Sequence, residues 1–567
     1  MNDLAENPRA TLAREVADAW PRACAHWSHF LLLCDPIDNS EQASVAQIHL
    51  GTRQVSLNFD TLIEKELLGS VEAILAHEVG HHVKYPGSLA VQARLRLLER
   101  SLLPFKDYSL INLFTDLMIN ERLGRDLRGQ LIAVYRAFTA TPAFHASGKW
   151  KRDPSFLFYM AIYEELWRLT PGELMGRPAE EFGKHFNGYR AEARVLAERL
   201  FNLEPNVYTQ FLYYLSISCR YLQPIVDDDP QAADPYACGC DDPNADDWAD
   251  ALSPNAQERA AIERAIREGW FDPDEAKRLD DLSAIEERIA RLPGFGSADA
   301  HQVPEIMACW YRQQAENYLI KPPPQQRMGE AVVPTTLEDW EPGDSPRDID
   351  WRATLTHRGD TLGPAAPIRR SCIAEVEGME VPLWQPRIEI YLDVSGSMPD
   401  PRCCVNSMTL AAQILTLGAI RANGWVRALV YSSEPVFYWE WCRSETEISR
   451  FLMHYIGSGT QFPFAVVRRS IAECGNDQPI RVVISDTDFD RNYISYLENR
   501  RGDALLFDAA ESAPFVLMQH RAVDEWTSHY RSQGVTTIDV PEMDDFPRMA
   551  TDLAMALFPH ESSTQKR

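Results

Sequence analysis

The sequence predicts a multidomain chain, with an α+β domain at the amino-terminal side, a helical middle region and a doubly wound α/β domain at the carboxy-terminal side. Three observations carry this reading. Extended segments over 46–59 precede an apolar helical run at 73–83. Amphipathic periodicity of the helical kind fills 257–320, with Ala260, Ile262, Ala265 and Ile266 on one helix and Leu279, Leu282, Ile285 and Ile289 on the next. An alternating strand at 387–393 is followed by a helical segment from about Ser407 to Ala422 and then by the apolar strand 481–486, a type found at the centre of parallel sheets covered on both faces. The chain has 567 residues, 45% of them apolar, which gives room for three or four domains with sizeable cores.

The first extended segments turn near Gly51 and Thr52, and 54–59 alternates in polarity. The helix that follows carries His77, Glu78 and His81 in the pattern His-Glu-x-x-His between uncharged, helix-forming flanks, and Pro86-Gly87 stops it. Histidines four residues apart lie about 40° apart around a helix. Both imidazoles therefore reach one Zn2+, with Glu78 beside it as general base, the chemistry of a zinc hydrolase. His82 points about 140° away and reads as a supporting or packing residue. Two histidines need a third protein ligand. In the run 110–121 the polar residues Asn112, Asp116 and Asn120 recur every four positions, while Leu113, Phe114, Leu117 and Met118 cover the other faces. A buried carboxylate there asks for a cation or strong hydrogen bonds, so Asp116 is the expected third ligand, a purely hydrogen-bonded structural aspartate the other reading, and Glu121 the competing ligand.

On these residues, 46–121 resembles the catalytic half of zincin metallopeptidases. The resemblance implies an edge strand along the cleft that pairs with an extended substrate. With Asp116 and Asn120 on the later helix, the arrangement is most similar to the metallopeptidases that bacteria fuse to a von Willebrand factor type A domain.

Helical segments are expected near 153–170, 189–202 and 206–220. An acid-rich stretch, including Asp227 to Asp229 and Asp241 to Asp247, then reads as a solvated linker. It holds Cys238 and Cys240, which read as free surface thiols, metal ligands or a cap over the zinc. After the helices of 257–320, Pro322-Pro-Pro marks a stiff boundary.

In the carboxy-terminal part the strand 387–393 ends in Asp393-x-Ser395-x-Ser397, Thr460 sits on a glycine-rich loop, and Asp486 ends the apolar strand. Oxygen ligands at the carboxyl ends of parallel strands suit a hard cation, Mg2+, with a position open for a partner's carboxylate. These five residues resemble, in order and context, the metal-ion-dependent adhesion site of a von Willebrand factor type A domain spanning 386–560; the competing reading is a nucleotide-type α/β fold with incidental serines. Just upstream, 340–354 is similar to the Pro-Gly-Asp and Asp-Trp signature of proteins associated with MoxR-type AAA+ ATPases. That resemblance implies such an ATPase as partner. Pro342, Gly343 and Asp344 make a turn, and Trp351 is expected to anchor a small structure. Residues 356–381 depart from the family in their length and in their Gly, Pro and charge content.

The expected domains are therefore a zincin-like metallopeptidase domain (1–222), an acidic linker (223–256), a helical spacer (257–321), a linker with the upstream motif (322–385), the A domain (386–560) and a tail (561–567). No apolar run is long enough to span a membrane and no signal peptide is evident, so a soluble, cytoplasmic protein is expected. Eleven scattered cysteines fit reduced thiols, and a net charge of −27 disfavours direct nucleic-acid binding. The expected function is a zinc-dependent peptidase acting on a protein substrate, coupled through its A domain to a MoxR-type ATPase, with bacterial defence or stress as the setting by family analogy. The alternative is a non-catalytic adaptor for such an ATPase, keeping a zincin-like recognition module. The chain has no Gly-x-x-x-x-Gly-Lys-Ser/Thr loop with which to use ATP itself.

Overall fold

The computed structural model describes residues 7–103, 109–139, 151, 154–222, 242–295, 302–319, 332–341, 343–358, 366–374, 385–475, 477–500 and 503–558. They divide into two compact units. The first takes the described residues of Met1–Gln314 with the segments Val394–Thr409 and Ser449–Gly459; the second takes those of Ala315–Asp393, Leu410–Ile448 and Thr460–Arg567.

In the first unit α1 (Pro8–Ala25) starts at Asn7, whose side chain accepts from the Arg9 amide. A three-stranded sheet follows, in the order β1 (Ile37–Asp38), β3 (Gln54–Leu57), β2 (Ala46–His49), with β3 parallel to β1 and antiparallel to β2. The two expected extended segments are thus a hairpin, and β2 is an edge. After α2 (Phe59–Glu64) comes α3 (Val71–Val83), in which Val71 and every residue from Ala73 to His81 are buried. A helix with apolar residues all round is a central helix. A Cβ on Gly80 would lie 2.5 Å from a Trp27 ring carbon and 2.9 Å from Ile119, so only glycine permits this closeness to the neighbouring α5. Further helices are α4 (Leu89–Leu102), α5 (Ile111–Leu123), α6 (Arg128–Thr139), α7 (Pro154–Leu166), α8 (Pro178–His185), α9 (Tyr189–Arg199) and α10 (Val207–Ser218).

The expected boundary at residue 222 does not hold. One apolar core runs from Leu12 to Leu282. It takes in Ala261, Ile262 and Ala265 of α12 (Ala256–Arg267) and Leu279 of α13 (Pro273–Asp281), so the first half of the expected spacer is built into the domain. The acidic stretch is also misread as linker where it is described. Residues 245–251 form α11 (Ala245–Ala251), opened by a capping box between Asn244 and Asp247, with its acids in the first turn where the helix dipole favours them. Trp248 is buried, and Arg94 reaches the carboxylate of Asp250 (2.7 Å) and the carbonyls of Asp250 and Ser253. In α14 (Ile285–Ala290), the buried Arg288 ties the turns together through Glu258 (2.7 Å) and the carbonyls of Ala251 and Leu282. Cys238 and Cys240 lie outside the described residues.

The helix α15 (Gln302–Tyr318) explains why 394–409 belongs with this unit. The Tyr311 hydroxyl accepts from the Asn406 amide (2.7 Å) and donates to the Cys404 carbonyl (3.2 Å), and Glu305 pairs with Arg450.

In the second unit the expected linker 322–385 contains structure. Strand β4 (Val332–Asp339) pairs antiparallel with β5 (Ile368–Ala374), and α16 (Trp351–Arg358) lies between them in the chain. Trp351 is 56% exposed and so is no anchor; Asp350 does that work, accepting from the Ala353 amide and pairing with Arg370.

The six-stranded sheet has the order β11 (Thr536–Val540), β10 (Phe515–His520), β9 (Ile480–Ser485), β6 (Arg387–Asp393), β7 (Trp425–Tyr431), β8 (Pro435–Cys442). Every pairing is parallel except that of the edge strand β8. All six residues of β9 are buried, as a central strand requires. The helices are α17 (Ser407–Arg421), α18 (Glu445–Phe451), α19 (Phe464–Cys474), α20 (Asp488–Asn499), α21 (Leu505–Ser512), α22 (Asp524–Ser532) and α23 (Phe546–Leu557). This is a doubly wound sheet whose order reverses between β6 and β9. The protein is therefore a multidomain chain of mixed helix and sheet. No helix among the described residues is long and apolar enough to cross a membrane.

Candidate metal centre

Helix α3 places His77 and His81 one turn apart on one face, and α5 brings Asp116 to them. The two Nε2 atoms are 3.2 Å apart, and Asp116 Oδ1 lies 3.5 Å from that of His77 and 3.2 Å from that of His81. Among the described residues this is the one group of three His, Cys, Asp or Glu side chains whose ligand atoms lie within 4.8 Å of one another. All three residues are buried. Glu121 does not join them; its carboxylate faces Arg125 at 3.6 Å and is partly exposed.

The hydrogen bonds behind the ligands fix which nitrogens carry hydrogen. His81 Nδ1 is 2.9 Å from the carbonyl of Tyr85, which can only accept, so Nδ1 is the N–H and Nε2 presents a lone pair. The stop after α3 thus supplies the acceptor for its second histidine. His77 Nδ1 is 2.8 Å from Asn120 Oδ1. The orientation of Asn120 is set by its amide nitrogen, which donates to the Tyr135 and Tyr163 hydroxyls, each at 2.8 Å. His77 Nδ1 therefore donates, and its Nε2 also presents a lone pair. Tyr135, Tyr159 and Tyr163 share their hydroxyls at 2.8–3.2 Å, and Tyr163 reaches the Asp116 carbonyl at 3.3 Å.

Three acceptor atoms thus converge with no hydrogen among them in the neutral state, and Asp116 Oδ1 has no hydrogen-bond donor. Only a proton or a cation satisfies such a cluster. A tetrahedral site with metal–ligand distances of about 2.0–2.1 Å has edges of about 3.3–3.4 Å. The three observed separations bracket that value. Burial pushes the Asp116 carboxyl upward, but when a proton fills the cluster the charge and hydrogen bonds of the protonated imidazoles outweigh burial and hold it at about 2. Burial raises Glu78, which the imidazoles only partly offset, and the backbone amide of Ile48 in the edge strand donates to its carboxylate.

The centre opens on a cavity of about 100 Å3. Glu78 lines it, as do Ser44 to Ala46 beside the edge strand. Sequence reasoning assigned no role to Asn120, although it lies on the stripe that singled out Asp116. It also passed over the tyrosines, for which Tyr159 and Tyr163 at helical spacing in an apolar helix are the only signal.

In the second unit, Asp393 ends β6 and is fully buried, and the Ser485 hydroxyl donates to its Oδ2 at 2.7 Å across the point where the sheet order reverses. Asp486 follows Ser485, its Oδ1 accepting from the Asp488 amide (2.8 Å), and Thr460 donates to Asp488 (3.4 Å). The sequence reading missed Ser485 and Asp488. Ser395 and Ser397, which fall in the first unit, have hydroxyls 3.1 Å apart.

No protein-family model and no curated protein sequence matches the chain. Solved structures similar to it include a von Willebrand factor type A protein from Catenulispora acidiphila, with 12% identity and a TM-score of 0.22 over 33% of this chain and 44% of that one. Another is an aerotolerance-related membrane protein from Bacteroides fragilis, with 14% identity and a TM-score of 0.21 over 30% of this chain and 99% of that one.

Proposed function

We propose that the first unit is a zinc-dependent peptidase. The observation that carries the reading is the set of three lone-pair atoms spaced as the edges of a tetrahedron, with every other valence of the two imidazoles already committed. His77, His81 and Asp116 would hold Zn2+, which when bound polarises a carbonyl and acidifies a water. Glu78, on the cavity wall beside the ligands and with its carboxyl raised by burial, would act as general base towards the water and then pass the proton to a leaving amine. Asn120 and the tyrosines keep the imidazoles oriented, and edge strand β2 offers backbone groups to an extended peptide.

The second unit, in this reading, is a von Willebrand A-type module. Asp393, Thr460 and Asp486 of this unit would help to hold Mg2+, with a position left for a partner's carboxylate. The partner is a MoxR-type AAA+ ATPase docking there and on 340–354, which opens folded substrates before cleavage, in a cytoplasmic defence or stress setting.

Metal analysis of the purified protein should find about one zinc per chain. Glu78→Gln should keep that zinc and lose peptidase activity by about 10²- to 10⁴-fold, the usual contribution of a general base. Absence of zinc, or equal activity in the variant, overturns the peptidase reading. For the second unit, Asp393→Ala or EDTA should weaken ATPase binding, and cleavage of a folded substrate should need hydrolysable ATP. Binding indifferent to both treatments removes the ion from that interface.

A further inference from the structure

The wall of the cavity beside the metal centre is made by the turns just ahead of the ligands. Ala73 and Ile74 stand four and three residues before His77 on α3, Leu113 three before Asp116 on α5, and Leu131, Val134 and Phe138 follow along one face of α6. Among the described residues its ionisable lining consists of His77, Glu78, Asp116 and the hydroxyls of Tyr135 and Tyr159, with no lysine, arginine or further carboxylate. A charged side chain seated among these apolar residues, away from the metal centre, would lose its hydration without a partner there, whereas an aliphatic one would leave water for apolar contact. The volume of about 100 Å3 suits one branched aliphatic or similar side chain.

We infer that this cavity is the specificity pocket of the peptidase and selects peptides with a large apolar residue, Leu, Ile, Met or Phe, next to the scissile bond. The inference rests on the peptidase reading for the cleavage step, but the recognition it describes is a property of the cavity itself. Glu78 and two of the ligands, His77 and Asp116, lie on its wall, so a side chain seated in the pocket brings its own backbone to the centre. The edge strand at Ala46 supplies the direction in which the rest of the peptide runs.

The test has two arms, both on the full-length chain loaded with zinc. In the first, a mixture of unstructured peptides is digested and the cut sites are read by mass spectrometry; the expected result is enrichment of Leu, Ile, Met or Phe at one fixed side of the cut. In the second, the Glu78→Gln protein is titrated with an intact peptide carrying Leu at that side and with its Asp counterpart. The Leu peptide should bind at least about tenfold more tightly, the scale on which apolar pockets discriminate. The half-buried Val134, changed to Arg, should reverse the preference towards Glu, and Phe138→Ala should shift it towards larger aromatic residues, with melting curves confirming that both variants fold. Cleavage without apolar enrichment overturns the pocket and leaves the peptidase reading standing. Selective binding without any cleavage leaves the pocket standing and overturns hydrolysis; neither cleavage nor selective binding overturns both.

Discussion

Two buried sites, one in each unit, treat their carboxylates differently. In the second, Glu389 lies inside the sheet with Arg427 and Arg481 in contact and the Ser470 hydroxyl donating to both its oxygens, and Asp393 receives the Ser485 hydroxyl. In the first, Asp116 has an oxygen with no donor, and Glu99 is buried with a backbone amide of Leu110 as its close partner. A carboxylate matched by guanidinium groups is accounted for by folding alone. One left short of donors is a cost that the fold does not need, and it marks where a ligand or proton belongs. The Asp116 site therefore shows a function in its electrostatics, and the Glu389 site shows mainly how a charged residue survives in a central strand.

The largest test of this contrast is to break the matched set. Arg481→Leu leaves Glu389 short of one guanidinium in a fully buried site, and should destabilise the second unit by about 3–5 kcal/mol in urea unfolding. A loss below about 1 kcal/mol would mean that the network is dispensable and the contrast unfounded.

Next in size is the pH response of the first unit. Burial raises the Glu99 carboxyl from its ordinary 4.5 to about 7. Because the folded value is the higher one, stability is greatest below 4.5, falls as the unfolded chain ionises between 4.5 and about 7, and is level above that. The gap corresponds to roughly 3 kcal/mol. Glu99→Gln should abolish this fall, so stability measured at pH 4.5 and pH 8 should differ by that much less in the variant.

Smaller again is the effect behind the ligands. Asn120→Ala removes the acceptor that holds the His77 tautomer, and should weaken zinc binding about 10- to 100-fold without removing a ligand, as read by competition with a chelator. An unchanged affinity would assign Asn120 to packing. The smallest expected effect is at Trp351, whose exposure predicts that Trp351→Ala changes unfolding stability by less than about 0.5 kcal/mol. A larger loss would restore it as an anchor.

Much of the architecture was legible because it is carried by periodicity. The helix with His77, Glu78 and His81, the stripe of Asp116 and Asn120, and the apolar strand ending at Asp486 all repeat at the spacing of their element. What periodicity does not carry was misread. The acids of α11 look like solvent-facing residues until Asn244 is seen to cap a helix around Trp248. Tyr135 and Tyr163 are passed over because their hydroxyls acquire meaning only when α6 and α7 bring them to Asn120. Trp351 reads as core by type, yet its helix turns it to solvent. Ser485 passes unnoticed because a hydroxyl at the end of a strand gains significance only from Asp393 in the neighbouring strand.

The missing side chain at Gly80 has a bearing on which ion the centre can accept. It lies next to His81 in α3 and against the side chain of Ile119, one turn beyond Asp116 in α5, so the packing there bears on the span between ligands on different helices. A methyl group at this position would push the helices apart by a fraction of an ångström. Ligand separations of 3.2–3.5 Å would then open towards those of a larger cation held at about 2.3–2.6 Å, such as Ca2+. If the centre holds zinc as proposed, Gly80 would act as a calliper setting for ionic radius, and alanine at that position would be expected to trade preference for zinc against tolerance of larger metals.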